Sequence, residues 1–262
     1  MTEPKEDSRT LYERVCNRMA LFDRLHTGKI HLDRPLATFT FDDFPASAYE
    51  VGGRLLEEAG VRATYFVSGE LLGRTAEGVR YFDENHLRAA YRNGHEIGCH
   101  GFRHEKFSIL GHDFARKSCD DNARFVQSVL GPQATMTSFA YPFGDASLWV
   151  KELMAQRFEA CRGVHEGINA GTADRAQVDI ISLEMRHAPA LDLEKVIAEA
   201  TARKGWIVFL SHDLSEDPSP YGSTPATIER TLRAVIEAGI QVVPFNAAVA
   251  HVFQKRHPLP AH

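Results

Sequence analysis

From residue 36 onward the chain alternates short apolar runs with longer amphipathic stretches, and that alternation restricts it to a strand-helix repeat. Strand-like runs fall near residues 36 to 41, 63 to 67, 96 to 99, 137 to 140, 159 to 162, 179 to 183, 206 to 211 and 241 to 244. Helices are best supported over Ser47 to Ala59, Asp113 to Val129, Asp192 to Arg203 and Thr224 to Ala238. Several helical stretches close on glycine, at Gly60, Gly94, Gly131, Gly205 and Gly239. Thr224-Pro225 reads as an N-cap followed by a proline at the first helical position, and Arg203-Lys204-Gly205 as two cations before a left-handed glycine. Seven or eight such units fit a barrel better than an open sheet. With 262 residues, 44% of them hydrophobic, a single α/β domain accounts for the chain.

Polar clusters end three of these runs. Thr38-Phe39-Thr40-Phe41 leads into Asp42-Asp43, Glu96-Ile97-Gly98-Cys99 into His100, and Trp206 to Ser211 into His212-Asp213. The C-terminal ends of strands are where α/β folds build their sites, so the clusters are expected to converge on one cavity. His100 and His104, spaced i, i+4, are expected on one face of a helical turn. One aspartate completes a two-histidine, one-carboxylate metal site that leaves positions open for water and substrate. The other aspartate, pointing the opposite way along an extended segment, is left for proton transfer. Either motif alone is weak, because a His-x-x-x-His or an Asp-Asp pair is usually a surface feature. Together, at strand ends, they point to a mononuclear metallohydrolase.

The remaining features narrow the class. A net charge of -5 and a pI near 6.2, with no Lys/Arg cluster, disfavour nucleic acid as a partner. The segment Met1 to Asp7 has neither the basic start nor the apolar stretch of a secretory signal, and no run approaches a membrane span, so a cytoplasmic location is expected. Cys16, Cys99, Cys119 and Cys161 form no Cys-x-x-Cys and are expected as reduced thiols. Residues 1 to 35 form an N-terminal helical extension with Leu11, Val15, Met19 and Phe22 on one stripe, expected to pack on the barrel rather than on a membrane or a second copy. Residues 36 to 255 are the main domain and 256 to 262 a tail. The turn-rich loop Ser215 to Ser223 reads as a connection with Tyr221 as a surface aromatic, or as a wall of the site.

On these residues the chain resembles the polysaccharide deacetylases of carbohydrate esterase family 4, which share the NodB homology domain. Thr40-Phe41-Asp42-Asp43, His100-Gly101-Phe102-Arg103-His104, Ala140-Tyr141-Pro142-Phe143-Gly144 and Leu210-Ser211-His212-Asp213 look like successive family motifs. The resemblance implies a distorted (β/α) barrel, usually of seven strands, and metal-dependent N-deacetylation of N-acetylhexosamine residues. It makes Asp43, His100 and His104 the metal ligands, Asp42 the general base and His212 the general acid. The backbone N–H of Phe143 becomes an oxyanion donor and Leu210 part of the acetyl-methyl pocket. Zinc is the first choice of cofactor, with cobalt, nickel, manganese or iron as alternatives. The motif set and the expected cytoplasmic location look similar to holdfast-type exopolysaccharide deacetylases, which implies an N-acetylated, lipid-linked glycan and peripheral membrane contact through that substrate.

The chain departs from the family pattern at specific positions. Ala140 stands where many members carry an arginine that tethers the base, Phe143 where they carry tyrosine, and Gly101 where they carry Ser or Thr. Arg186, following a later strand, is the expected replacement for the missing arginine, and Asp179 is the nearest candidate to orient His212. Cys99 is expected in the core. The same fold would also suit a cyclic amide or imide hydrolase, or a non-catalytic glycan-binding domain.

Overall fold

In the computed structural model, which describes residues 10–23 and 26–253, the chain folds as one α/β domain around a closed parallel barrel. The barrel strands are β1 (Leu36–Asp42), β2 (Thr64–Val67), β3 (Glu96–Cys99), β4 (Ser138–Ala140), β5 (Ala160–Glu166), β6 (Val178–Ser182) and β7 (Trp206–Ser211). Each pairs in parallel with the next in sequence order, and β7 returns to β1 with Trp206 opposite Leu36 and Ser211 opposite Phe41. The sheet therefore has no free edge. The run expected at 241 to 244 shrinks to Gln241–Val242, which pairs beside Leu36 and Ala37 and shares with β2 one edge of β1, so it is not a separate stave. The helices are α1 (Leu11–Phe22), α2 (Arg54–Glu58), α3 (Glu84–Arg92), α4 (Phe107–Leu110), α5 (His112–Leu130), α6 (Leu148–Arg157), α7 (Leu193–Arg203), α8 (Pro225–Glu237) and α9 (Phe245–Val252).

Strand parity explains the two main cores. Ala37, Phe39 and Phe41 of β1, with Ile207 and Phe209 of β7, face outward into an apolar layer beneath the helices. The alternate residues Leu36, Phe66, Ala140, Ala160, Val178, Ile180, Trp206, Val208 and Leu210 cluster with Phe245, Ala248 and Val249 of α9. Those residues fill the barrel interior, and α9 packs against the filling. Interior polar groups are paired within the wall, as where Trp206 Nε1 donates to Thr38 Oγ1 at 2.9 Å. A continuous chain of interior positions thus rises along β1 through Leu36, Thr38 and Thr40 to Asp42 at its upper end.

Local signals are mostly realised. Thr224 caps α8 by accepting from the Thr227 N–H at 3.2 Å, and Asp192 caps α7 through the Lys195 N–H at 3.0 Å. The end of α7 differs from expectation: Lys204, not Gly205, takes the left-handed conformation (φ 48°). Gly205 is small for another reason, since a Cβ there would lie 2.6 Å from Ile168 Cγ2. The helix expected from Ser47 to Ala59 is wound as a π-helix over Ala48–Gly53 before continuing as α2. A Cβ on Gly53 would meet Tyr49 Cδ2 at 2.6 Å and Tyr65 Oη at 2.8 Å, so the wide turn brings backbone against aromatic rings where only glycine fits.

The N-terminal helix packs against α6 through Asn17 and Ala20, whereas Val15, Met19 and Phe22 of the expected stripe are exposed. Lys151 of α6 is fully buried, donates to the Ala20 carbonyl at 2.7 Å and pairs with Asp174 at 2.6 Å, so one ammonium ties α1 to the body. The tail assigned to residues 256 to 262 lies outside the described residues. Among the described residues, no helix is long and apolar enough to cross a membrane.

Candidate active site

The upper ends of β1, β3 and β7 bring the three polar clusters into one cavity. Asp43 follows β1 directly in a left-handed conformation (φ 62°), as does Phe44 (φ 54°), so the chain turns sharply instead of extending. The two aspartates are therefore separated by a turn, not by the strand alternation that the sequence suggested. His100 follows β3, and Gly101 (φ 71°) and His104 (φ 52°) reverse the chain behind it. The His-x-x-x-His is thus carried by a loop, a correction to the helical turn expected from its spacing. Its imidazoles still meet, with ring centroids 4.9 Å apart. Glycine suits position 101, because it has positive φ and a Cβ there would lie 3.0 Å from the Phe107 ring. The hydroxyl missing at Gly101 is supplied from α5, where Ser118 Oγ accepts from the Phe102 N–H at 2.9 Å.

One ligand atom each from Asp43, His100 and His104 can lie within 4.8 Å of the others. His104 Nε2 stands 3.3 Å and His100 Nε2 3.6 Å from Asp43 Oδ1. The His100 Nδ1–H donates to the Ala140 carbonyl at 2.8 Å, which leaves Nε2 with its lone pair toward the cavity. Burial pushes both histidines down to about 4, so they are neutral donors at neutral pH. Burial also raises Asp43, whose Oδ1 accepts no hydrogen bond among the described residues. Two neutral imidazoles and a buried carboxylate oxygen without a partner fit a divalent cation.

Asp42 has different company. Its carboxyl is buried against the fully buried Arg162, whose Nη2 donates to Asp42 Oδ2. Arg162 rises from the interior face of β5, with its guanidinium 5.3 Å from the Phe66 ring centroid and its Nη1 donating to the Gly163 carbonyl at 2.8 Å. Burial pushes the Asp42 carboxyl up, but the charges of Arg162, His100 and His212 outweigh it and hold the group below its ordinary value. Arg186 does not tether this aspartate, contrary to expectation. It pairs with Glu184 at 2.8 Å and lies 4.4 Å from the Tyr221 ring centroid, on the far side of the site.

His212 follows β7, and its Nδ1 lies 3.3 Å from Glu184 Oε1 and 3.2 Å from the Tyr221 carbonyl. Burial alone would lower this histidine, yet the hydrogen bond to Glu184 and the charges of Asp42, Asp43 and Glu184 raise it to about 9. Asp179 is not its partner, since that side chain bonds His165 at 3.0 Å. Sequence reasoning thus missed Arg162 and Glu184. Each is a charged residue at the upper end of an apolar strand run, the signal already used for Asp42. Glu184→Gln should move the alkaline limb of any activity that needs protonated His212 to lower pH, because loss of the anion lowers the histidine's pKa. A pH profile with an unmoved alkaline limb would deny Glu184 that influence.

The other expected positions are also at the mouth. Phe143 is left-handed (φ 58°) in a turn closed by the amides of Gly144 and Asp145, and its ring lies 4.3 Å from that of His104. Leu210 is buried in the barrel interior one layer below His212. Cys99 is a buried thiol that accepts from Asn122 Nδ2 at 3.3 Å.

Residues 29–157 match the family model described as polysaccharide deacetylase. A gellan lyase from a Bacillus species is 26% identical over 216 residues, which cover 75% of this chain. The chain spans only 8% of the length of that curated relative. A family 4 acetyl xylan esterase from Clostridium thermocellum, solved with a cobalt ion, aligns at a TM-score of 0.56 and 21% identity, covering 82% of this chain and 90% of that one. A family 4 pseudoenzyme from Bacillus anthracis aligns at 0.56 and 14%, covering 84% and 67%. Likeness at this level establishes the fold, and the second structure means that the fold alone does not decide turnover.

Proposed function

We propose, from the premise that residues 29–157 belong to the polysaccharide deacetylase family, that this chain is a metal-dependent N-deacetylase of an N-acetylglucosamine-containing polysaccharide. The observation that carries the reading is the opposed ionisation of a buried aspartate and a half-buried histidine beside one cation-ready cluster. Asp42 is held ionised and His212, at about 9, is held protonated at the same neutral pH. Amide hydrolysis needs a base for the attacking water and an acid for the departing amine, and environments that push two groups apart assign those roles. A domain that only binds glycan has no need of either.

Asp43, His100 and His104 would hold the divalent cation, zinc or another first-row ion, and the cation would supply Lewis acidity toward the acetyl carbonyl. Asp42 takes the proton from the attacking water, with Arg162 fixing its orientation and charge. His212 gives its Nε2 proton to the amine nitrogen while Glu184 and the Tyr221 carbonyl hold Nδ1. The Phe143 N–H, which its own turn does not use, is the proposed donor to the developing oxyanion, and Leu210 the floor for the acetyl methyl. We read the glycan as an exopolysaccharide or its lipid-linked precursor.

The test is mass-spectrometric loss of acetyl groups from N-acetylglucosamine oligomers, using wild type before and after chelation and zinc or cobalt add-back, with a cyclic imide as control. Activity should vanish on chelation and return with metal. His104→Ala should lose metal occupancy and activity together, by about 100-fold or more, while staying folded. Full metal content in His104→Ala, or turnover of the imide in place of the oligomer, would sink this proposal.

A further inference from the structure

The stripe that the sequence assigns to the barrel faces away from it. α1 turns Asn17 and Ala20 inward, one polar and one small, and leaves Val15, Met19 and Phe22 in solvent, Phe22 at 70% exposure. Spacings of three and four residues put those side chains in one sector of the helix, and the exposed Arg14 and Arg18 border it. A helix that served only its own domain would bury its apolar stripe and expose its polar residues.

The exposed apolar surface continues from α1 to the rim of the barrel mouth. Ile109, at 61% exposure, and Leu110 of α4 stand in solvent, as does Leu148 at the start of α6. One short segment staples these helices together. The Ser108 N–H of α4 donates to Asp145 Oδ2 at 3.0 Å, and the next residue, Ala146, donates its N–H to Asn17 Oδ1 of α1 at 2.6 Å. Both α1 and α4 pack on α6. The three elements therefore hold their apolar side chains along one flank of the barrel, the flank on which the Phe143 ring lies 4.3 Å from that of His104. Apolar surface concentrated in this way marks a place of contact.

Charge selects the partner. The chain carries a net charge of -5, yet the charged side chains described on the exposed face of α1 are the cations Arg14 and Arg18. Lys106 precedes α4 with its Nζ 5.8 Å from the Phe143 ring centroid, and Asp113, beyond α4, is the exposed anion nearby in sequence. In a two-fold pair of α1 helices the arginines of one copy would face those of the other. At a bilayer their stems lie along the apolar layer while the guanidinium groups reach lipid phosphates. We propose that α1, α4 and the start of α6 dock this protein on an anionic lipid bilayer, with the apolar side chains entering the headgroup boundary and the barrel mouth held beside the membrane surface. The docking is independent of the reaction proposed for the cavity, whose failure would leave this surface in place.

The experiment sediments the full chain with vesicles of phosphatidylcholine containing phosphatidylglycerol and with vesicles of phosphatidylcholine alone. It compares wild type, Met19→Ser/Phe22→Ser, Ile109→Ser/Leu148→Ser and Arg14→Gln/Arg18→Gln, each checked by thermal melting. Wild type should partition onto the anionic vesicles, and each serine pair should lower the partition coefficient roughly ten-fold. The glutamine pair should lower it roughly ten-fold on anionic vesicles and leave phosphatidylcholine alone unaffected, as high salt should do to wild type. The glutamine pair, placed on the solvent face, decides the matter should a serine pair fail to fold. Wild type left in the supernatant with both vesicle types, equal partition onto the two, or folded variants that all bind as wild type overturns the proposal. So does a dimer in sedimentation velocity that Met19→Ser/Phe22→Ser dissolves, because a second copy then covers the face.

Discussion

Asp42→Asn should stay folded, take up its metal and bind an acetylated oligomer, yet turn it over about 10² to 10⁴-fold more slowly than wild type. The amide keeps the shape of the carboxyl and can still accept a hydrogen bond from Arg162, but it cannot accept a proton from water. Asp43→Asn, a chemically identical change one residue away, should instead weaken metal binding, with activity partly recovered at high metal concentration. The contrast follows from their partners: a buried guanidinium on one, and on the other two neutral imidazoles around an oxygen that nothing else among the described residues engages. Metal analysis beside steady-state kinetics separates the two. Near wild-type turnover by metal-loaded Asp42→Asn would exclude Asp42 as the base.

Arg162→Met should be the most damaging single change away from the metal ligands. The methionine fills the apolar stem, but it leaves the Asp42 carboxylate buried without its counter-charge, a loss of about 3 to 5 kcal/mol and on the order of 10 °C in Tm for a domain of this size. The Asp42 pKa then rises, so the acid limb of the rate profile moves to higher pH and turnover at neutrality falls. Asp42→Asn/Arg162→Met should melt above Arg162→Met alone, since the double variant removes both charges from the barrel. Thermal melts of the four proteins in this cycle measure the coupling directly. Additive losses would mean that the pair makes no special contribution.

The parts of this molecule readable in sequence were those written in contiguous residues. The strand runs, the cap at Thr224, and the motif residues Asp42, Asp43, His100, His104 and His212 all carry their signal within a few positions. What could not be read depends on which strands become neighbours across the barrel. Arg162 and Asp42 are 120 residues apart and meet only because both occupy interior positions of the barrel wall, Asp42 at the end of β1 and Arg162 at the third residue of β5. Arg186 was the natural guess for the tether because it follows a strand, but it emerges two residues beyond Glu184 and is captured there. The i, i+4 spacing of His100 and His104 has two geometric solutions, a helical turn and a reversal through left-handed residues, and the chain takes the second, with positive φ at both Gly101 and His104.

The left-handed backbone at Asp43, His104 and Phe143 has an evolutionary consequence. Each such residue carries a conformational penalty of about 1 kcal/mol or more that a glycine would not, so the backbone would relax if these side chains were lost. Mutational drift toward thermal robustness would therefore erode ligand, neighbouring ring and turn before it touched the barrel wall. A lineage released from selection for turnover should show glycine or asparagine at these positions first, and laboratory evolution for heat resistance alone should select inactive survivors with intact folds.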